Sequence, residues 1–318
     1  MISVVMATYN SHRFLYKQFD SILKQTNPID EMIIVDDASS DNTIELINKY
    51  INEHNLKNWK LFIHNKNQGF IKTFSEALSY AQGDNIILCD HDDIWFENKV
   101  EVIQKTFDSN PDIKALATSF CQIDENDNLI ATKKRIGCSN NNLIRRRVKS
   151  GQLNKMTIKD IGVYNISPGC TCAITKDLRD EYMKTETGVL PHDWKLNLIA
   201  ECYDGLYYLD VVTTKYRIYT GNTIGLGHQS DYDKRKKISV KGFEEKQEML
   251  RIVGEELGVN SKEFLYINSI INLFKSRIEL IKTRKIFFIG IPLLFKSLSY
   301  SKLYETIAYD IITIVRIR

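Results

Sequence analysis

A chain of 318 residues can bury a sizeable core and suggests one large domain or two smaller ones. Hydrophobic residues at 43% and charged residues at 26% are ordinary for a globular protein. The formal net charge of +3 is too small to argue for nucleic acid as a partner, and no apolar run approaches the ~18–20 residues that span a bilayer.

The chain opens on an apolar strand, Ile2–Ala7, and not on the basic-then-apolar pattern of a signal sequence. Its six cysteines show no C-x-x-C pair and no zinc-finger spacing. A reducing cytoplasm is the expected location, with Cys170 and Cys172 as small buried residues on one face of a strand. Phe14, Phe19, Ile22 and Leu23 recur at helical spacing, and Met32–Val35 is a second strand. Asp41 suits the N-cap of a helix over Thr43–Ile51, with Glu45 in its first turn. Trp59–Ile63 is a third strand; Phe70, Phe74, Leu78 and Ala81 line a helix that Gly83 would end as a C-cap. Ile86–Cys89 is a fourth strand, and Val100, Ile103 and Phe107 line the next helix. Such alternation predicts an α/β fold, Rossmann-like, with a mainly parallel sheet and helices on both faces. Right-handed crossovers then place the loops after Ala7, Val35 and Cys89 along one edge.

Beyond residue 125 the pattern loosens. Strand-like segments return at Ala173–Ile174 and Leu206–Tyr219, around a helix at Trp194–Cys202. From about Gly242 the chain reads as helical, with Phe243–Leu257 and Lys262–Lys282 as two candidates. The expected division is 1–241, in two halves over 1–125 and 126–241, followed by a helical region over 242–318. In the tail, the apolar run Ile286–Phe295 is flanked by Lys282, Arg284, Lys285 and Lys296, and Tyr304–Val315 is again mostly apolar. Either a membrane surface or packing on the domain or in a homodimer accounts for this. The basic clusters at 133–135, 145–147 and 234–237 fit solvated faces as well as phosphate or anionic lipid.

The three loops on one edge carry the chemistry. After the fourth strand come Asp90, Asp92 and Asp93, carboxylates close enough to repel and costly to desolvate without a nearby positive charge. Hard oxygen ligands favour Mg²⁺ or Mn²⁺ over Zn²⁺. On its own the run also fits a solvated turn capping a helix from about Phe96. The other two loops are Thr8-Tyr9-Asn10 and the carboxylate-rich Asp36–Asp41, which suits hydrogen bonds from a base or ribose. Three such loops on one edge point to a ligand site.

The ordered set Ser3–Asn10, Ile33–Asp41, Asn67-Gln68-Gly69 and Asp90–Asp92 resembles the family 2 glycosyltransferases of the GT-A fold, over roughly residues 1–225. Asp90–Trp95 further resembles the D-Q-D-D-I-W signature of rhamnosyltransferase-like members, with His91 in place of the usual Gln. The resemblance implies inverting transfer of a sugar, dTDP-L-rhamnose at its most specific, from a nucleoside diphosphate donor to a glycan or lipid-linked acceptor. It implies that Thr8, Tyr9, Asn10 and Asp37 hold the nucleoside, Asp90 the donor, and Asp92 with Asp90 the cation.

Inversion needs a general base opposite the leaving group. Leu190-Pro191-His192-Asp193-Trp194 matches the subgroup's H-D-W and makes Asp193 that base; on the residues alone Asp193 is equally a helix cap. Ser167-Pro168-Gly169 matches a small-residue turn at the donor sugar or acceptor, with strand entry as the alternative. Tyr216–Gly225 resembles Y-R-Q-H-G-N-N-x-x-G, but Tyr219 stands where the family often carries histidine. His228 is then the candidate metal ligand, or a solvated loop residue. A UDP-hexose or UDP-N-acetylhexosamine donor is the nearest alternative. A nucleotidyltransferase lacks its Gly-rich loop here, and a non-catalytic binding subunit would not need both Asp92 and Asp193. Polysaccharide synthesis in the cytoplasm, peripheral to the membrane, is the expected setting.

Overall fold

The computed structural model describes residues 1–162, 164–184, 190–219 and 262–297, with positions 244, 247, 248, 251, 252, 255, 307, 308, 311 and 312. The chain forms two compact units, one of residues 1–157 with 165–228 and the other of 158–164 with 229–318.

The first unit is built on one sheet. Strands β1 (Ile2–Thr8), β2 (Glu31–Asp36), β3 (Trp59–Ile63) and β4 (Asn85–Cys89) lie in the order β3-β2-β1-β4, all parallel. Helices α1 (Leu15–Leu23), α2 (Thr43–Glu53) and α3 (Phe70–Tyr80) connect them. Val4, Val5, Met6, Ile33, Ile34, Ile86, Ile87 and Leu88 are all fully buried, as a parallel sheet covered on both faces requires. The expected α/β architecture is the one observed.

After β4 the short strand β5 (Ile94–Trp95) leads to α4 (Lys99–Ser109). The second half of the sheet adds β6 (Ala115–Ile123), β7 (Leu129–Ile130), β8 (Leu153–Lys155), β9 (Cys172–Thr175) and β10 (Leu206–Arg217). Strand β9 runs antiparallel between β4 and β6, while β6 and β10 pair in parallel. Helix α5 (Ile158–Ile161) belongs to the second unit; α6 (Lys176–Lys184) and α7 (His192–Cys202) belong to the first.

Several local expectations are corrected. Helix α4 starts at Lys99, not near Phe96, because Ile94 and Trp95 pair with Lys215 and Thr214 of β10. Asn98, not Asp93, therefore stands at its cap position. Asn42 stands at the cap of α2, although Asp41 Oδ1 still accepts the Thr43 N–H at 3.0 Å. Cys170 lies in a 3-10 turn, Gly169–Thr171, ahead of β9. Gly83 is not a C-cap: α3 ends at Ala81. A Cβ at Gly83 would lie 2.5 Å from Ser3 Oγ and 2.6 Å from the Ser3 nitrogen, so the residue is small to let this loop close on β1.

In the second unit a helix spans Lys262–Thr283, close to its expected bounds, and is followed by a π-helical turn Ile286–Gly290 and a helix Ile291–Lys296. Among the described residues no helix is long and apolar enough to cross a membrane. The expected helix over 243–257 and the apolar run over 304–315 fall largely outside the described residues, as does His228 entirely.

Gly83→Ala should destabilise the first unit by about 1–3 kcal/mol, since the added methyl meets backbone on β1. Urea unfolding of the variant and the parent measures this. An unchanged midpoint would show that the loop yields without cost.

Candidate active site

Parallel pairing puts the carboxyl ends of β1, β2 and β4 side by side, where open α/β sheets bind ligands. The first two loops are stitched together. Thr8 Oγ1 donates to Asp36 Oδ2 at 2.7 Å, and Ser39 binds the same carboxylate through its amide at 2.8 Å and its hydroxyl at 2.6 Å. The Asn10 N–H donates to Ser39 Oγ at 2.9 Å, and the Ser40 N–H returns to Asn10 Oδ1 at 2.9 Å. Asn10 takes a φ of 49°, a left-handed conformation that asparagine tolerates better than most residues. Tyr9 is left 48% exposed just past the end of β1.

Asp37 is buried and turned to the next loop. Its carboxylate accepts the Gln68 N–H at 2.7 Å and the Gly69 N–H at 2.8 Å, and lies 2.8 Å from His64 Nδ1. Burial alone would raise its pKa, but these donors outweigh it and hold the pKa below the usual value. Its contacts explain why Asn67-Gln68-Gly69 travels with the acidic pair: the loop amides are the partners of the second carboxylate.

The loop after β4 is pinned by a residue that spacing alone did not single out. Arg217, fully buried at the end of β10, donates its backbone N–H to Asp93 Oδ1 at 2.9 Å and its Nε to the Asp92 carbonyl at 2.6 Å. Its guanidinium also binds the Asp124 carbonyl and Asp127 and lies over the Phe14 ring at 4.3 Å. The hint available in the sequence was Tyr216-Arg217 at the head of the resembling segment. A second buried cation, Lys99, donates to the Cys170 carbonyl at 2.5 Å and to Thr214 Oγ1 at 2.9 Å.

The carboxylates are crowded. Asp90 is pushed up to about 7 by burial, then by the charges of Asp92 and Asp193. Asp93 is raised well above the usual carboxylate range by burial and by Asp92 and Asp90. Ligand atoms of Asp90, Asp93 and Cys170 lie within 4.8 Å of one another. Burial and the neighbouring carboxylates push the Cys170 thiol well up, and a soft sulfur donor is a poor match for a hard cation. What remains is an oxygen donor set with too much negative charge, which fits a hard divalent cation. Asp92, outside that group of three, meets the Tyr219 hydroxyl, and the charge and hydrogen bond of Asp92 help raise that phenol's pKa after burial.

Asp193 lies in the first turn of α7, after Pro191 at the cap position. Its Oδ2 accepts from Asn165 Nδ2 at 2.8 Å and its Oδ1 from the Trp194 N–H at 2.9 Å. Burial nevertheless raises it to about 6. Gly169 packs directly on it: a Cβ there would lie 3.3 Å from Asp193 Cβ and 3.2 Å from His192 Nε2. His192 itself stacks on Phe74 with ring centroids 3.8 Å apart, and burial lowers it to about 3. A neutral ring packed this way supports the helix start and carries no charge to the site.

Of the residues expected in the site, Asp90, Asp92, Asp193 and Gly169 converge, and Thr8, Tyr9 and Asn10 line the adjoining loop. Asp37 serves the loop at Gly69.

The glycosyl transferase family 2 model matches residues 3–172. A UDP-Glc:alpha-D-GlcNAc-diphosphoundecaprenol beta-1,3-glucosyltransferase of Escherichia coli, WfgD, is 34% identical over 102 residues, covering 32% of this chain and 39% of that protein. The matches to the first curated relatives span only 39%, 54% and 41% of those proteins' lengths. Among solved structures, S. aureus TarS 1-349 in complex with UDP-GlcNAc covers 99% of this chain and 81% of its own, with a TM-score of 0.59 at 19% identity. A Pyrobaculum calidifontis mannosyltransferase in complex with GDP-Man and Mn²⁺ gives 0.58 at 15% identity, covering 99% of this chain and 84% of its own. These likenesses show the GT-A fold; the family match, over more than half of the chain, shows that it belongs to glycosyl transferase family 2.

Proposed function

We propose that this glycosyltransferase moves a sugar, with inversion, from a nucleoside diphosphate donor to a hydroxyl of a glycan or lipid-linked saccharide, with Asp193 as general base. The observation that carries the reading is the placement of Asp193. Its carboxylate packs against the Gly169 turn, acts electrostatically on Asp90, and has a pKa raised to about 6. A group with that pKa is ionised at neutral pH and still basic enough to take a proton.

The residues divide the work. Tyr9 offers an exposed ring to the nucleobase, on a loop held rigid by Thr8, Asn10 and Asp36. Asp37 shapes the neighbouring wall of the nucleoside site through Gln68 and Gly69. Asp90 and Asp92 would hold Mn²⁺ or Mg²⁺, which when bound offsets the charge developing on the diphosphate leaving group. Asn165 and the Trp194 amide hold the Asp193 carboxylate in place while it accepts the acceptor hydroxyl's proton. The acceptor oxygen then bonds to the anomeric carbon as the diphosphate leaves from the opposite face.

For the donor, the Asp90–Trp95 run favours dTDP-L-rhamnose. The UDP-sugars in the names of WfgD and the TarS complex favour a UDP-hexose or UDP-N-acetylhexosamine. The lipid-linked acceptor in the name of WfgD supports a setting in surface polysaccharide synthesis on the cytoplasmic side of a membrane.

Calorimetry with dTDP-rhamnose, UDP-glucose, UDP-galactose and UDP-N-acetylhexosamines, each with Mn²⁺ and with EDTA, tests the donor. One of them should bind in a metal-dependent way, and Asp92→Ala should abolish that dependence. Binding that ignores EDTA would remove the cation from the reading. Asp193→Asn should keep donor affinity but lower kcat by about 10²–10⁴-fold, the usual contribution of a general base. Equal turnover in variant and parent would sink the assignment. Because the base must be ionised, kcat of the parent should rise about tenfold per pH unit below about 6 and level off above it. A limb that persists in Asp193→Asn would belong to another group.

A further inference from the structure

The second unit carries a surface that sugar transfer does not use. After the Lys262–Thr283 helix the chain turns at Arg284, with a φ of 56°, into the π-helical turn Ile286–Gly290 and the helix Ile291–Lys296. One side of this segment is anchored. Leu293 is 3% exposed, and a Cβ at Gly290 would lie 3.2 Å from Leu280 Cδ1 and 3.3 Å from Ile311 Cγ1. The anchored side fixes what the other side presents. Phe287 is 77% exposed, Phe288 86% and Phe295 67%, with Ile291 also exposed. Scattered apolar residues on a surface need no explanation, but three phenylalanines within nine positions form a patch.

The charges within the segment itself have one sign. From 282 to 296 the charged residues are Lys282, Arg284, Lys285 and Lys296, all exposed, and of these Lys282 pairs with Glu244 at 3.2 Å. We propose that this face docks on an anionic membrane surface, the phenylalanines entering the headgroup and upper acyl region while Arg284, Lys285 and Lys296 meet lipid phosphates. Apolar insertion and electrostatic attraction add in such a contact, each cation contributing about fivefold to the partition constant. A second copy of the chain is a poorer occupant. A two-fold contact sets the same patch against itself and would bring Arg284, Lys285 and Lys296 toward their own copies, whereas an anionic surface pairs them.

The test is sedimentation of the full chain with vesicles of phosphatidylcholine alone and of phosphatidylcholine with phosphatidylglycerol. Binding should require phosphatidylglycerol and weaken as salt is raised. Phe287→Ser with Phe288→Ser should lower the partition constant about tenfold or more, with thermal unfolding unchanged because both rings are exposed. Lys285→Glu with Lys296→Glu should remove the preference for phosphatidylglycerol and leave the rings in place. Equal partitioning of parent and phenylalanine variant would overturn the proposal. So would a parent that ignores vesicles but sediments as a dimer that the phenylalanine variant dissociates, which would give the face to a second copy. Neither result depends on Asp193 or on the donor, so docking and catalysis stand or fall separately.

Discussion

Arg217 is the constraint on which the site depends. The sheet brings β4 and β10 into one layer, but two strands lie between β4 and β10 in its order, so pairing alone cannot fix the loop after β4 against β10. The guanidinium and the backbone of one residue do so, through the Asp92 carbonyl, the Asp93 carboxylate and the turn at Asp124–Asp127. A buried cation is costly unless its donors are met, so the loop, the turn and the strand are held in one arrangement that satisfies it. Lys99 does the same for the other half of the site. It reaches from the start of α4 to the Cys170 carbonyl, in the turn whose Gly169 packs on Asp193. One cation fixes the loop that carries Asp92 and Asp93, and the other fixes the turn against which Asp193 packs.

Both cations spend their strongest hydrogen bonds on carbonyls and on groups at the edge of the cluster. Lys99 lowers the pKa of Asp90 only as a lesser influence, after burial and two carboxylates have raised it. The protein therefore fixes the Asp92 backbone, while at Asp90 burial and the charges of Asp92 and Asp193 outweigh Lys99. Such an arrangement has little to gain from a monovalent partner and much from a divalent one. It also keeps Asp193 from being neutralised by an adjacent cation, which would lower its pKa and its basicity together. Asp193 instead takes two neutral donors, which fix its direction and leave burial as the main influence on its pKa.

The first four strands and their helices were legible because each is a local pattern, an apolar run or a helical period bounded by turn residues. Strand β6 was not. Ala115–Ile123 contains Thr118, Ser119 and Gln122 within its apolar residues, so it shows neither alternation nor a continuous apolar run. Those polar side chains are buried because they find partners: Thr118 donates to the Thr171 carbonyl and pairs with Thr213, and Ser119 reaches Asn140. Long-range partners of that kind leave no mark in spacing. The same holds for Asp93 and Gly83. Each suited a cap in its local sequence, and each is explained by a residue about 80 or more positions away: Ser3 for Gly83 and Arg217 for Asp93. In the site, the carboxylate run and the Asp193 turn were visible as motifs. The cations that organise them were not, since one arginine at the end of a strand and one lysine at the start of a helix look like ordinary surface residues.

Tyr219 adds a second hold on the loop after β4. The motif that Tyr216–Gly225 resembles has histidine at this position, and a neutral phenol is no substitute for imidazole as a metal ligand. Here the phenol does something else. Its ring packs edge-on against Phe14, at 5.0 Å between centroids, on the ring that also lies beneath Arg217. Its hydroxyl meets Asp92, and burial together with that carboxylate raises its pKa, which keeps it a neutral donor. Asp92 is thus held at both ends, its carbonyl by Arg217 and its carboxylate by Tyr219. A hydrogen bond that orients a carboxylate acts on metal binding through the ligand, in the way outer partners tune coordinating residues. Tyr219 orients the Asp92 carboxylate, and the common support of Phe14 makes Arg217 and Tyr219 parts of one device.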